Sequence, residues 1–152
     1  MTIDRGYTAQ NDSERARLQA LVSRLTDAQL GRPMPGGWTV AAVLAHVAFW
    51  DQRVLSLLER WEGSPSAVPP TIEGRHVDWI NDATKPLLLA LAPRRAAELA
   101  LSIAAAVDQK VAQMSDDLLE RNAAAGTPLT PVRATHRREH LDEIEHVLSA
   151  EP

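Results

Sequence analysis

The 152-residue chain contains no cysteine, one tyrosine, one phenylalanine and four tryptophans. Without thiols there are no disulfides, no thiolate metal ligands and no cysteine nucleophile, so chemistry falls to histidine, carboxylates or hydroxyls. A surplus of positive charge is also missing: 16 Lys and Arg face 20 Asp and Glu, a formal net charge of −4. Binding to nucleic acid depends on clustered cations, and here the arginines alternate with acids, so nucleic acid is excluded as a main partner. There is no 18-residue apolar run, and the start Met1-Thr2-Ile3-Asp4-Arg5-Gly6 lacks the basic-then-apolar order of a secretory leader. The expectation is a soluble, cytoplasmic protein with no membrane partner. Alternating runs of Val, Ile, Thr and aromatics are scarce, while Ala and Leu dominate, which favours helix over sheet.

What is present is helical periodicity. No internal repeat, low-complexity tract or composition break divides the chain, so residues 1–152 read as a single domain. A domain of this size buries roughly 68–70% of its unfolded surface and needs no metal to fold, so a metal here is functional. Asp12 or Ser13 can cap a first helix carrying Leu18, Leu21, Val22 and Leu25. Thr26 to Gly37 is a connector rich in Pro and Gly, in which Thr26 and Gln29 match a capping box.

Thr39 is the expected N-cap of a second helix with Val40, Val43, Leu44, Val47, Trp50, Val54, Leu58 and Trp61 on its apolar stripe, stopped by Gly63 and Pro65. Glu73 to Leu91 suggests one or two short helices interrupted at Pro86, a crossover over one end of the core that is placed to shape a pocket. Pro93 opens a third long helix whose stripe is Ala96, Leu99, Ala100, Ile103, Val107, Val111 and Met114. After a turn at Asn122 to Gly126, a last helix starts near Thr127 or Thr130 and carries Leu129, Val132, His136, His140, Leu141, Ile144 and Val147. The predicted fold is therefore all-α, a four-helix bundle with a long crossover between its second and third helices.

Three histidines stand out in this frame. His136 and His140 in the run H-R-R-E-H are four apart, so a helix turns both imidazoles the same way. His46 falls on the flank of the second helix's stripe, where a side chain can look into a cleft. Together they make a site for a divalent transition metal with positions left open. Zinc or nickel suits such a set, and iron or manganese also accepts imidazole. Glu143, three residues after His140, can orient a ligand, act as acid or base, or pair with Arg137; Asp51 is a weaker outer candidate. His76 and His146 read as solvated or locally hydrogen-bonded, His146 on the face opposite the site with Glu139 and Asp142. Trp38 and Trp50 read first as core anchors, and Arg94, Arg95, Arg137 and Arg138 as solvated faces.

Gly36-Gly37-Trp38-Thr39-Val40, followed by Val43-Leu44-Ala45-His46-Val47-Ala48 and then Trp50-Asp51, resembles the second helix of the DinB-like superfamily. The run His136 to His140 resembles that family's C-terminal HxxxH, and the third helix with Met114, Asp116, Asp117 and Leu118 is also similar. The resemblance implies up-down-down-up topology, frequent homodimers and a divalent metal on three histidines, which here are His46, His136 and His140. Related families include thiol-dependent S-transferases and the mycothiol-dependent maleylpyruvate isomerase, whose additional C-terminal domain is not expected after this last helix.

Two function classes follow. In the first, the metal activates a low-molecular-weight thiol or water for transfer to, or hydrolysis of, an electrophilic small molecule. In the second, a non-catalytic dimeric binding or stress-response protein keeps a vestigial or vacant site. A third possibility is that the histidines only satisfy polar needs in the core. No order of Ser or Thr with His and Asp suggests a hydrolase triad.

Overall fold

A computed structural model describes residues 2–150, and its secondary structure is almost wholly helical. Helix α1 spans Tyr7–Arg24, α2 Asp27–Leu30, α3 Val40–Gly63, α4 Gly74–Leu89, α5 Pro93–Ala112, α6 Asp116–Ala124 and α7 Ala134–Ser149. The four long helices α1, α3, α5 and α7 close a ring of contacts: α3 lies between α5 and α7, and α1 between α7 and α5. The α3–α5 pair is the most extensive, because α5 meets it through Ala96, Ala97, Ala100 and Ala104, all fully buried. Small side chains let two helix backbones approach closely. Leu99 and Ile103, expected in that buried stripe, are only half-buried.

Several boundaries follow local chemistry. Thr26 and Gln29 form the expected capping box, each bonding the other's backbone N–H, at 3.1 and 2.9 Å. The Thr39 hydroxyl accepts from Ala42 N at 3.1 Å and opens α3 at the expected residue. Between these caps the connector folds into a hairpin, Pro33–Met34 (β1) against Trp38–Thr39 (β2), which the periodicity did not foresee. Its turn puts Gly36 and Gly37 at φ of 76° and 77°, a region in which a side chain is strained. Lys85 on α4 donates to the Gly36 carbonyl and lies over the Trp38 ring, tethering the crossover to the hairpin.

Other boundaries differ from expectation because tertiary contacts supply what the sequence withholds. Helix α1 begins at Tyr7 rather than near Ser13, and the Tyr7 hydroxyl donates to Val111 O at 2.9 Å. The crossover is one helix that runs through Pro86. Proline there removes a bond to the Asp82 carbonyl, but it stands in the last turn, and both Asp82 and Pro86 are exposed, so that carbonyl need not be buried unpaired. Helix α7 starts at Ala134, well after Thr130. Its first N–H groups are capped from across the bundle, since Asn11 Oδ1 accepts from Arg133 N and Ala134 N at 2.7 and 2.9 Å. Leu129 and Val132 therefore pack from the preceding segment and not from α7.

By length and composition α3 is a helix that could cross a membrane, yet 61% of its most apolar window is buried inside the protein. It is the core helix, apolar around most of its circumference for that reason. The core has two apolar clusters, one around Leu21, Leu44 and Ala100, the other around Val54, Trp61, Val107 and Leu129. Between them stand Asp51 of α3, Asp108 of α5 and Arg137 of α7, at most 4% exposed. Arg137 donates to Asp108 through Nη1 and Nη2, both at 2.7 Å, and to Asp51 through Nη2 at 3.0 Å and Nε at 3.2 Å. Arg133 adds a bond to Asp51 at 2.9 Å and Arg15 one to Asp108 at 2.6 Å.

This corrects two expectations: Arg137 is not on a solvated face, and Asp51 serves the network and does not bond the metal-ligand candidates. Arg138, with a bond to Glu14 at 3.1 Å, and Arg94, paired with Asp27 at 2.7 Å, do remain on outer faces. Removing one partner of a buried ion pair strands the others without solvation. Arg137→Ala is expected to cost about 3–5 kcal/mol, read as a lowered denaturant midpoint at unchanged slope, whereas Arg138→Ala should cost about 1 kcal/mol or less.

Candidate metal centre

The buried network sits beside the histidines on both helices that carry them. Arg137 adjoins His136 in α7, and Asp51 follows His46 by five residues in α3. Clamping these two helices together brings the imidazoles against one another, tilted or edge-on. His136 Nε2 lies 3.3 Å from His46 Nε2 and 3.1 Å from His140 Nε2, and the three potential ligand atoms all fall within 4.8 Å of one another. An ion held at about 2.0–2.1 Å by imidazole nitrogens separates them by about 2.9–3.4 Å. The separations of His136 from His46 and from His140 are of that size.

Protonation favours the same use. Burial pushes His46 down to about 4, helped by the neighbouring His140. Burial likewise pushes His136 down to about 3, with His140, His46, Arg133 and Arg137 adding to it. Both rings are neutral at pH 7. The Glu143 carboxylate lies 2.9 Å from His140 Nδ1. A carboxylate only accepts, so Nδ1 carries a proton, and Nε2 is the nitrogen turned toward His136. Nδ1 of His46 and of His136 is buried with no protein partner. The two neutral buried rings thus bring lone pairs to the triangle, a donor set that a divalent cation fits.

The site is reachable from two sides. One cavity, about 430 Å³, is lined by Met34 and Trp38 of the hairpin, His46, Asn81, His140 and Glu143. A second, about 550 Å³, is lined by His46, His136, His140, Asn81, Trp50 and Arg133 among others. Helix α4 therefore shapes the pocket, as its crossover position suggested, through Asn81, which accepts from Trp50 Nε1 at 2.9 Å. Trp38 meets the His46 ring edge-on at 5.6 Å and is a pocket wall as well as an anchor.

All three predicted ligands are brought together, with Glu143 beside them. His76 is elsewhere, its Nδ1 accepting from Glu73 N at 3.2 Å. His146 does not face away: it lines the first cavity next to Glu143, and Glu139 lines the second. The cavities open along the flank of α7 and not at the centre of its buried arc, and these residues are the next around that flank. Periodicity missed Asn81 and Arg133, for α4 carries no motif and Arg133 precedes its helix. A usable signal for Arg137 was present: Asp51 and Asp108 interrupt apolar stripes, and a buried carboxylate needs a cation.

In the metal-free protein, His46 and His136 are expected to stay neutral at about pH 5, read from imidazole NMR shifts, since their values lie below it. The unfolded chain takes up these protons near pH 6.5 and the folded one does not, so the metal-free fold should lose stability as pH falls from about 6.5 toward 4. Unchanged denaturant midpoints over that window would contradict the burial of these rings.

Residues 10–147 match the sequence model of the DinB superfamily. No curated protein and no solved structure matches the chain. The match covers nearly the whole sequence, including all three histidines and Glu143, and the chain belongs to the DinB superfamily.

Proposed function

We propose that this protein is a divalent-metal enzyme acting on a small electrophilic molecule by transfer of a low-molecular-weight thiol or by hydrolysis. The observation that carries the reading is the meeting of three imidazole Nε2 atoms where two cavities come together. Zinc or nickel suits three neutral imidazoles best, with iron and manganese as further fits. A cation held by His46, His136 and His140 supplies Lewis acidity that brings the pKa of a thiol or of water toward neutrality.

The protein's own groups do the rest. Glu143 holds His140 Nδ1 through its carboxylate and lines the first cavity, where it can take a proton from the nucleophile. Asn81, held by Trp50, offers amide donors and acceptors between the two cavities. The apolar side chains of Met34, Trp38, Val43 and Val147 line one side of the first cavity, and a less polar wall strengthens the electrostatics beside the centre. The reading also carries an up-down-down-up order for the four long helices, a homodimer, and a cytoplasmic setting with a small-molecule substrate.

Elemental analysis of tag-free protein should find about one divalent ion per chain in the parent and none in a His136→Ala, His140→Ala double variant. Glu143→Ala is expected to keep the fold and lose about 10- to 100-fold in metal affinity. A parent that stays metal-free after reconstitution would favour the non-catalytic reading of the bundle.

A further inference from the structure

A third cavity lies next to the second one and holds an arginine, Arg53, with which no carboxylate among the described residues pairs. It measures about 230 Å³, and its walls include Trp50, Arg53, Thr71, Thr127, Thr130 and Arg133. Trp50, Val77, Thr130 and Arg133 line both this cavity and the larger one in which the histidines stand. A molecule with one end at the imidazoles can therefore extend toward the two arginines.

Most cations around it are spoken for. Arg15, Arg133 and Arg137 share Asp12, Asp51 and Asp108. Arg53 has no carboxylate partner among the described residues; its contact is the face of Trp50, 5.9 Å away. Burial, and then Arg133, hold its pKa below the usual arginine range, and no acid offsets them. Arg133 uses Nε on Asp51 and Nη1 on the Thr130 carbonyl at 3.5 Å, which leaves Nη2 without a protein acceptor among the described residues. A half-buried guanidinium beside a second one is costly unless an anion joins them. The cavity wall also includes Thr127, a β-branched residue at φ 55°, held there by its N–H to Asn122 O at 2.7 Å. Backbone in that region is strained for such a residue, and strain of this kind gathers at ligand sites.

We propose that Arg53 and Arg133, with the threonine hydroxyls around them, form a subsite for the carboxylate or phosphate end of the substrate whose reactive end lies at the three histidines. The inference rests on the functional reading above for the second half of that statement only. Guanidinium groups recognise oxyanions through paired charge-assisted hydrogen bonds, and Trp50 stacking keeps Arg53 from swinging out to solvent.

The test follows the indole N–H resonance of Trp50 during titration with sodium phosphate and, separately, sodium succinate, at ionic strength held constant with sodium chloride. It is run on chelator-treated and zinc-reconstituted protein, for the parent, Arg53→Gln and the surface control Arg60→Gln. A saturable shift is expected in the parent and in Arg60→Gln with and without zinc, weakened about tenfold or more in Arg53→Gln. Zinc content and circular dichroism of Arg53→Gln should equal those of the parent. The tighter of the two anions identifies the end group. No saturable shift with either anion, or equal affinity in Arg53→Gln, overturns the subsite even where zinc binds. Anion binding in a protein that takes up no zinc supports the subsite and defeats the metal reading instead.

Discussion

Two carboxylates, Asp51 on α3 and Asp108 on α5, share the guanidinium of Arg137 between the two apolar clusters of the core. Apolar packing alone is tolerant of small slides and rotations, since one leucine substitutes for another at modest cost. A planar fork with several donors is not tolerant: its hydrogen bonds hold at one register and one rotation. Burial of such a group contributes little net stability, yet three helices must meet at one level for it to be satisfied. The histidine triangle depends on that level, because His136 adjoins Arg137 and His46 stands a little over one turn before Asp51.

The same burial that organises the helices prepares the chemistry. His46 and His136 are drawn far enough into the protein to be neutral, and Glu143 holds His140 from outside. Charge around the centre is graded: a balanced ionic layer beneath it, the neutral rings of His46 and His136 at it, and Arg53, with no carboxylate partner among the described residues, at the adjoining cavity. An anionic end group would be drawn to the arginines, which leaves the rest of the molecule beside the histidines.

Much of this was legible in residue order. The caps at Thr26 and Thr39, the extent of α3 and the three histidines rest on local rules that act within a few residues. The start of α7 was not legible, for its cap is the side chain of Asn11 on α1. Nor was the continuity of α4 through Pro86, which holds because that proline falls in an exposed last turn. Helical periodicity placed His46 on a flank correctly, but it assigned Arg137 to solvent and His146 to the far side. A wheel reports angle along one helix and says nothing of where its neighbours leave a cavity.

By itself the sequence determined the helical class, the absence of thiol chemistry, and which side chains were free to act as metal ligands, because these depend on composition and on spacings of three and four residues. Tertiary structure alone decided that the three imidazoles share one point, that Arg137 is a buried strut, and that Arg53 and Arg133 end up beside the same cavity. Each of these joins residues far apart in the chain, and their meeting is set by the balance of buried charge across several helices, which no local pattern encodes.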